Sequence, residues 1–132
     1  MQLIRNNLKK VSGMALLSVG LFATAQASAA GACDNANTQA EINKCTATEL
    51  SAEDRKLNRS YSDLQHLLNS SEKKQLKAAQ LSWIDFRDKA CKFSARSFNG
   101  GSAYSMALNG CLTTYTQQRR VQLDEEIQNL NK

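Results

Sequence analysis

The feature that most constrains the fold is the absence of helix-breaking residues. The chain contains no proline, and no glycine lies between Gly31 and Gly100. Both residue types interrupt helices, because proline lacks the backbone N–H and glycine loses the most conformational entropy on ordering. The same stretch is rich in Ala, Leu, Gln, Glu, Lys and Arg, which are strong helix formers. The composition therefore predicts an all-α fold.

The first predicted helix begins with a capping box. Glu41 follows Thr38 by three residues, so the threonine side chain can accept from one free backbone N–H while Glu41 accepts from another. Apolar residues then recur at helical intervals: Ile42, Cys45, Leu50, Leu57, Tyr61, Leu64 and Leu68. The pattern predicts one helix over residues 38–68. A second capping sequence at residues 51–54 leaves open a break near Leu50, which would create a fourth helix.

Two further helices are predicted after a polar turn at residues 69–71. The second has an inward stripe of Leu76, Ala79, Gln80, Trp83, Arg87, Ala90 and Cys91. The segment Asn99-Gly100-Gly101-Ser102 ends it, and Ser102 is a suitable N-cap for the third helix. The third, over residues 103–130, has an inward stripe of Leu108, Cys111, Leu112, Tyr115, Arg119, Leu123, Ile127 and Leu130. Short links between three long helices predict an antiparallel bundle.

The N-terminal residues have the organisation of a signal peptide. Three basic residues within the first ten positions precede an uncharged, mostly apolar run over residues 11–25, and Ala27-Ser28-Ala29 supplies small side chains for signal peptidase. The run is too short and polar for a membrane span, which needs about 20 strongly apolar residues. We expect a cleaved signal peptide over residues 1–29 and one mature domain over residues 30–132. The location would be periplasmic or secreted, with no stable membrane anchor.

A lipoprotein is the alternative to this form of export. Cys33 follows Ala30-Gly31-Ala32, small residues of the kind that precede a lipidated cysteine. The leucine usual in such motifs is absent, and lipidation of Cys33 would leave an odd number of thiols for pairing. We therefore favour cleavage without lipidation.

Removal of the signal peptide changes the charge of the chain. The full sequence has 17 Lys and Arg against 12 Asp and Glu, a formal net charge of +5. The first 29 residues hold three of the basic residues and none of the acidic ones, which leaves 14 against 12, or +2, on the mature domain. So small a charge gives no electrostatic basis for binding nucleic acid, and we expect none.

Four cysteines lie in the mature domain: Cys33, Cys45, Cys91 and Cys111. An even number of cysteines in an exported domain indicates disulfides. A domain of this size buries only around two thirds of its unfolded surface, so cross-links would help its stability. Four cysteines allow three connectivities. We favour the two local pairs, Cys33 with Cys45 and Cys91 with Cys111, each of which would stabilise the fold by roughly 3 kcal/mol.

Residues typical of catalytic or metal sites are sparse. His66 is the only histidine, and there is no glycine-rich phosphate loop and no cluster of His and Cys at metal-ligand spacing. Neighbouring carboxylates such as Asp85 and Asp88 are more typical of a solvated helix face than of an acid and base pair. We predict that the protein is not an enzyme and that it uses no cofactor or metal.

Two charged residues lie within the predicted inward stripes. Asp54 lies between apolar positions of the first helix, and Arg87 lies one turn beyond Trp83 on the second, and each would be costly to bury alone. An ion pair between Asp54 and Arg87 would satisfy both and fix the register of the two helices. Alternatively, both side chains reach water at the edge of the stripe. Trp83 is expected in the core rather than at a ligand.

Several motifs follow one another in a defined order along the mature chain. They are Cys33, Thr38-Gln39-Ala40-Glu41-Ile42-Asn43-Lys44-Cys45, Asp54-x-x-Leu57-Asn58-x-x-Tyr61, Ala79-Gln80-x-x-Trp83-x-x-Phe86-Arg87-Asp88-x-x-Cys91, Gly100-Gly101-Ser102, Cys111 and Thr116-x-x-Arg119-x-x-x-Leu123. Together they resemble the LprI-like lysozyme inhibitor family. The resemblance implies a small exported helical protein with disulfides, whose partner is lysozyme or another peptidoglycan hydrolase. The alternative function is an accessory envelope module without a hydrolase target.

The resemblance implies no particular inhibitory residue, so we predict the binding surface from physical requirements. Lysozyme has carboxylates in an open cleft, and a protein that blocks it needs a rigid projecting segment with hydrogen-bond donors or a cation. The glycine-containing link between Cys91 and Cys111 meets this need. Its candidate partner-binding residues are Arg96, Asn99, Gly100, Gly101 and Ser102. A plain turn between helices is the alternative.

Overall fold

A computed structural model describes residues 33–132, and the predicted signal peptide lies outside this range. The described chain forms α1 (Gln39–Leu67), α2 (Ser70–Ser94) and α3 (Tyr104–Leu130), with a short 3-10 helix, Ala95–Phe98, directly after α2. No strand occurs among the described residues. The prediction of an all-α fold with three long helices is confirmed.

Capping boxes begin both α1 and α2. At α1 the Glu41 N–H donates to Thr38 Oγ1 at 3.2 Å, and the Thr38 N–H donates to Glu41 Oε2 at 2.9 Å. At α2 the Asn69 side chain accepts from the N–H groups of Ser71 and Glu72, and Glu72 accepts from the Asn69 N–H. These bonds satisfy N–H groups that the first helical turn leaves free. The box predicted at Thr38 is confirmed.

Helix α1 continues through Leu50 without a break, so the alternative with a fourth helix is excluded. The residues that could have capped a new helix have other partners. Ser51 Oγ accepts from Arg55 Nη1 at 2.8 Å, and Glu53 is buried, with 5% of its surface exposed. The local capping pattern is therefore overridden by packing.

Helix α3 begins one residue later than a cap at Ser102 would require, so that prediction is wrong. The N-cap residue is Ala103, which has no side-chain capping bond. The Tyr104 N–H instead donates to the carbonyl of Gly101 at 3.2 Å. The carbonyl of Ser102 accepts from Asn43 Nδ2 of α1 at 2.8 Å. The backbone at Ser102 thus joins α1 to the start of α3.

Successive helices are antiparallel, and α3 packs against both α1 and α2. The order of cross-helix contacts shows the directions. Arg119 bonds to Gln80 near the middle of α2, whereas Cys111, earlier on α3, joins Cys91 near the end of α2. The first and third helices therefore run parallel to each other, with their N-terminal ends at the same end of the bundle.

The buried apolar residues concentrate at one end of the bundle, which we call the core end. Leu57, Leu64 and Leu123 form its centre, and Tyr61, Leu68, Leu76, Trp83 and Ile127 pack against them. Leu130 was predicted to face inward, but 52% of its surface is exposed. That prediction is wrong because Leu130 lies one turn beyond Ile127, the last α3 residue packed on this cluster.

The opposite end of the bundle, where α1 and α3 begin, carries both disulfides, and we call it the stapled end. Cys33 pairs with Cys45 and Cys91 with Cys111, at Cα–Cα distances of 5.6 and 5.5 Å. The favoured connectivity is confirmed. Only two apolar residues are buried here, Cys91 and Ala95, so covalent links replace much of the packing that stabilises the core end.

Candidate functional site

The link between α2 and α3, residues 95–103, projects from the stapled end, and we call it the tip. It consists of the 3-10 helix Ala95–Phe98 and a tight turn. Asn99 has φ −58° and ψ 132°, Gly100 has φ +81°, and the Gly101 N–H donates to the Phe98 carbonyl at 3.0 Å. These angles and this bond define a type II turn, whose third position requires the positive φ that glycine adopts readily.

Three attachments hold the tip on the bundle. The disulfide between Cys91 and Cys111 joins the helices on either side of it. Ala95 at its start is 1% exposed, so the 3-10 helix sits on the bundle through a buried side chain. The amide of Asn43 donates to the Ser102 carbonyl at its far side. The turn is thereby held from both flanks, which limits the entropy lost on binding a partner.

The exposed surface of the tip combines a cation, an amide and aromatic rings. The guanidinium carbon of Arg96 lies 3.9 Å from the centroid of the Phe93 ring, and Arg96 Nη1 donates to the Phe93 carbonyl at 2.9 Å. Phe93 and Phe98 expose 65% and 44% of their surfaces. Asn99 and Gly100 are exposed at the turn. Ring contact and hydrogen bond together orient the Arg96 cation.

A polar layer between the two ends of the bundle contains the charged residues of the inward stripes. Arg87 Nη1 lies 3.4 Å from Asp54 Oδ1 and donates to Thr116 Oγ1 at 3.1 Å, while its Nε donates to Asp88 at 2.9 Å. The Arg87 side chain is 14% exposed and that of Asp54 is 43% exposed. The structure therefore has features of both alternatives, an ion pair and contact with water: Arg87 is largely buried beside Asp54, and the Asp54 carboxylate also reaches water. The guanidinium carbon lies 5.1 Å from the Trp83 ring centroid.

A second buried charge, Glu53, lies in the same layer and was not predicted. Arg120 Nε of α3 lies 3.6 Å from Glu53 Oε2, and Lys56 contacts the other carboxylate oxygen. Arg120 also donates to Asp124 Oδ2 at 3.0 Å. Burial lowers the pKa of the neighbouring Arg119. Glu53 is the buried member of this group, and the side chains of Lys56, Arg120 and Asp124 are partly exposed. These four charges pair with one another, so they contribute to helix register.

Comparison with known proteins identifies the family. A family model described as lysozyme inhibitor LprI matches residues 29–123. The chain belongs to the LprI family. The match includes all four cysteines and the tip, and it ends at Leu123, the last buried residue of α3. An uncharacterized protein of Rhizobium meliloti (strain 1021) is 30% identical over 106 residues, which cover 70% of this chain and 76% of that protein. No solved structure matches. The LprI family is a family of inhibitors.

The described residues contain no group of side chains that could bind a metal in this disulfide-bonded form. One group of potential ligands occurs, Cys33, Cys45 and Glu49. Its two sulfurs are bonded to each other and are not thiolates, so they are not metal ligands in this form. No cysteine is free between residues 33 and 132, and no helix in that range is long and apolar enough to cross a membrane.

The structure brings all five predicted partner-binding residues into the tip, but gives them different environments. Arg96 and Asn99 expose side chains that could contact a partner. Gly100 sets the turn, and Ser102 contributes a carbonyl to the bundle. The prediction omitted the exposed rings of Phe93 and Phe98. The sequence does contain one indication of exposure for Phe93, because this residue lies off the inward stripe of α2 that ends at Cys91.

Proposed function

We propose that this LprI-family protein is exported and inhibits lysozyme or a related peptidoglycan hydrolase by placing its tip in the catalytic cleft. The observation that carries the proposal is the combination of a match to an inhibitor family with a rigid, exposed turn at the stapled end. Disulfides and membership of an inhibitor family both favour an extracytoplasmic location.

The chemistry of the tip suits a cleft that holds carboxylates. Glycoside hydrolases act through two carboxyl groups that flank the scissile bond. The Arg96 guanidinium, fixed against Phe93, can pair with such a group, and the Asn99 amide can donate or accept where a sugar hydroxyl would bind. Gly100 has no side chain at the turn, so the backbone can approach the cleft wall closely. The tip would occupy substrate positions without carrying a scissile bond.

The form of export determines whether Cys33 can join its disulfide. The Cys33 sulfur is bonded to Cys45, and a sulfur that carries a lipid could not make this bond. This supports cleavage before Ala30 over lipidation. Mass spectrometry of the exported protein measures the outcome directly, because a diacylglyceryl group at Cys33 adds a mass that signal-peptide cleavage alone does not.

The proposal is tested with purified mature protein and lysozymes of several classes, by calorimetric binding and by lysis of cell-wall suspensions. Asn99→Glu adds a negative charge to the turn at an ordinary φ, so it should weaken binding at least about tenfold by repulsion from the cleft carboxylates. Asn129→Glu is the matched control, since Asn129 is exposed near the other end of α3.

Equal affinity of the two charge variants would contradict insertion of the tip into an acidic cleft. Absence of binding to every hydrolase at micromolar concentration would contradict the inhibitor function. That result would favour the alternative, an accessory envelope module that holds another protein.

A further inference from the structure

The described chain exposes all of its phenylalanines. Phe86, Phe93 and Phe98 have 57%, 65% and 44% of their surfaces exposed. Large aromatic residues are usually buried, and clusters of exposed apolar side chains mark interaction sites more often than single ones. All three phenylalanines of the described residues are exposed, and all lie in the second half of α2 or in the tip, so their exposure needs a functional account.

Phe86 and Phe93 belong to one stripe on α2. Phe86, Lys89 and Phe93 are spaced at i, i+3 and i+7, which places them on one helix face. This face is next to the inward one, because Phe86 meets the Tyr115 ring of α3 edge-on at 5.8 Å between centroids. The guanidinium of Arg96 extends the series by covering the Phe93 ring. We call Phe86, Lys89, Phe93 and Arg96 the aromatic stripe.

The stripe leads directly into the tip. Phe86 and Phe93 are seven residues apart, or about 10 Å along the helix axis. Arg96, the last member of the stripe, is also the cation of the tip. A partner that receives the turn at Gly100 therefore meets a continuous surface that extends along α2.

The part of this surface nearest the tip carries cations and no carboxylate from residues 89–103, whereas Asp85 and Asp88 lie at its Phe86 end. The sequence contains no Asp or Glu between residues 89 and 123, whereas Lys89, Lys92 and Arg96 lie in its first part. Lys89 pairs with Asp85 at 2.8 Å, but the two side chains are 75% and 65% exposed, so the pair is weak and can be exchanged. The unopposed cations of this surface therefore lie beside Phe93 and the tip, whereas its Phe86 end carries both signs of charge.

We propose that the aromatic stripe is the second part of the hydrolase-binding surface and contacts the acidic wall of the cleft while the tip enters it. The inference extends the proposed inhibitor function and depends on it. Aromatic residues, phenylalanine among them, and arginine are enriched in protein interfaces. In the stripe Phe93 supplies the apolar contact, and it holds Arg96 so that the cation faces carboxylates of the partner.

The test compares single variants of the mature protein for binding to a lysozyme that the parent binds. Phe93→Ala and Arg96→Ala should each raise the Kd at least about tenfold, because both remove central contacts. The Kd of Arg96→Ala should also depend less on salt concentration than that of the parent, because this variant lacks a charge that pairs with carboxylates of the partner. Phe93→Leu should bind more tightly than Phe93→Ala, because leucine keeps part of the apolar contact area although it lacks the ring.

Leu81→Ala is the matched control. Leu81 is 58% exposed on the same helix, and its 12-residue separation from Phe93 rotates it by about a third of a turn to a different face. The control should change Kd by less than about twofold. Urea unfolding of each variant checks that stability is unchanged, as expected for side chains this exposed.

Other outcomes would overturn the inference in distinguishable ways. If the parent binds and Phe93→Ala binds equally well, the stripe is not part of the interface, and the inhibitor function stands. If Phe93→Ala dissociates a dimer of the parent in sedimentation, the stripe is a self-association surface. If the parent binds no hydrolase but binds phosphatidylglycerol vesicles through Phe93, both the inference and the inhibitor function are wrong.

Discussion

Removal of the disulfide between Cys91 and Cys111, next to the tip, should both destabilise the fold and weaken inhibition. Cys91 and Cys111 are separated by 20 residues and Cys33 and Cys45 by 12. The chain-entropy relation gives about 3 kcal/mol of stabilisation for each loop, because the logarithm of loop length varies little between them. Cys91 is 0% exposed, so replacing it with alanine adds a cavity cost, and the Cys91→Ala/Cys111→Ala variant should lose the larger amount.

Urea unfolding measures this difference. With a slope of about 1–3 kcal/mol per molar, a loss of about 3 kcal/mol lowers the midpoint by roughly 1–3 M. The Cys33→Ala/Cys45→Ala variant is the matched control, because it removes a disulfide of the same end without touching the flanks of the tip. Inhibition is then assayed at a temperature where circular dichroism shows that both variants are folded.

Two results would refute the reasoning. A loss below about 1 kcal/mol for the Cys91→Ala/Cys111→Ala variant would show that packing alone holds the stapled end. Equal inhibition by the two folded variants would show that the disulfide beside the tip does not order the binding surface. Selective loss of inhibition on removing the Cys91 disulfide is the expected outcome.

Two further predictions concern side chains that satisfy polar groups. Thr116→Val removes the hydroxyl that accepts from Arg87 Nη1, and leaving that buried N–H poorly paired should cost about 1–3 kcal/mol in urea unfolding. Backbone N–H groups of Asn37 and Thr38 lower the pKa of Glu41. The stabilisation from Glu41 is therefore present above the ordinary carboxyl pKa and lost as pH falls through the lowered pKa, so Glu41→Gln should flatten the acid limb of Tm against pH.

Both predictions have clear counter-results. Unchanged stability of Thr116→Val would mean that Arg87 finds an equivalent acceptor, such as water. For Glu41→Gln, a Tm profile parallel to that of the parent at acid pH would contradict the linkage argument. Glu125→Gln is the control, since Glu125 is exposed and its carboxylate accepts no hydrogen bond from residues 33–132, and the Tm profile of this variant should follow that of the parent.

The sequence predicted those parts of the fold that depend on local signals. The capping box at Thr38 satisfies backbone groups within one turn, so its outcome depends on few distant residues. The pattern at residues 51–54 was ambiguous because its residues could cap a helix or continue one. Contact between Glu53 and Arg120, which lies 67 positions later on α3, favours continuation, and no local pattern contains that information.

The candidate site was predictable in its backbone and less so in its side chains. Two adjacent glycines between cysteines indicate a turn, and the type II turn at Gly100 follows from that. Thr116, the partner of Arg87 on α3, could not be identified, because it lies outside the predicted inward stripe although the structure buries it completely. The exposure of Phe93 is not predictable from periodicity alone, which shows that the residue lies off the inward stripe but not whether another helix covers it.

The apolar core and the disulfides lie at opposite ends of the bundle, and this separation makes the order of the tip depend on the redox state of the cysteines. In a reducing cytoplasm the chain would keep the cluster around Leu57, Leu64 and Leu123 but lack the covalent links at the other end. Helix formation would then precede ordering of the tip. Under the proposed function, we expect inhibition to require oxidation of the four cysteines, so that the reduced polypeptide would be inert and the oxidised one competent.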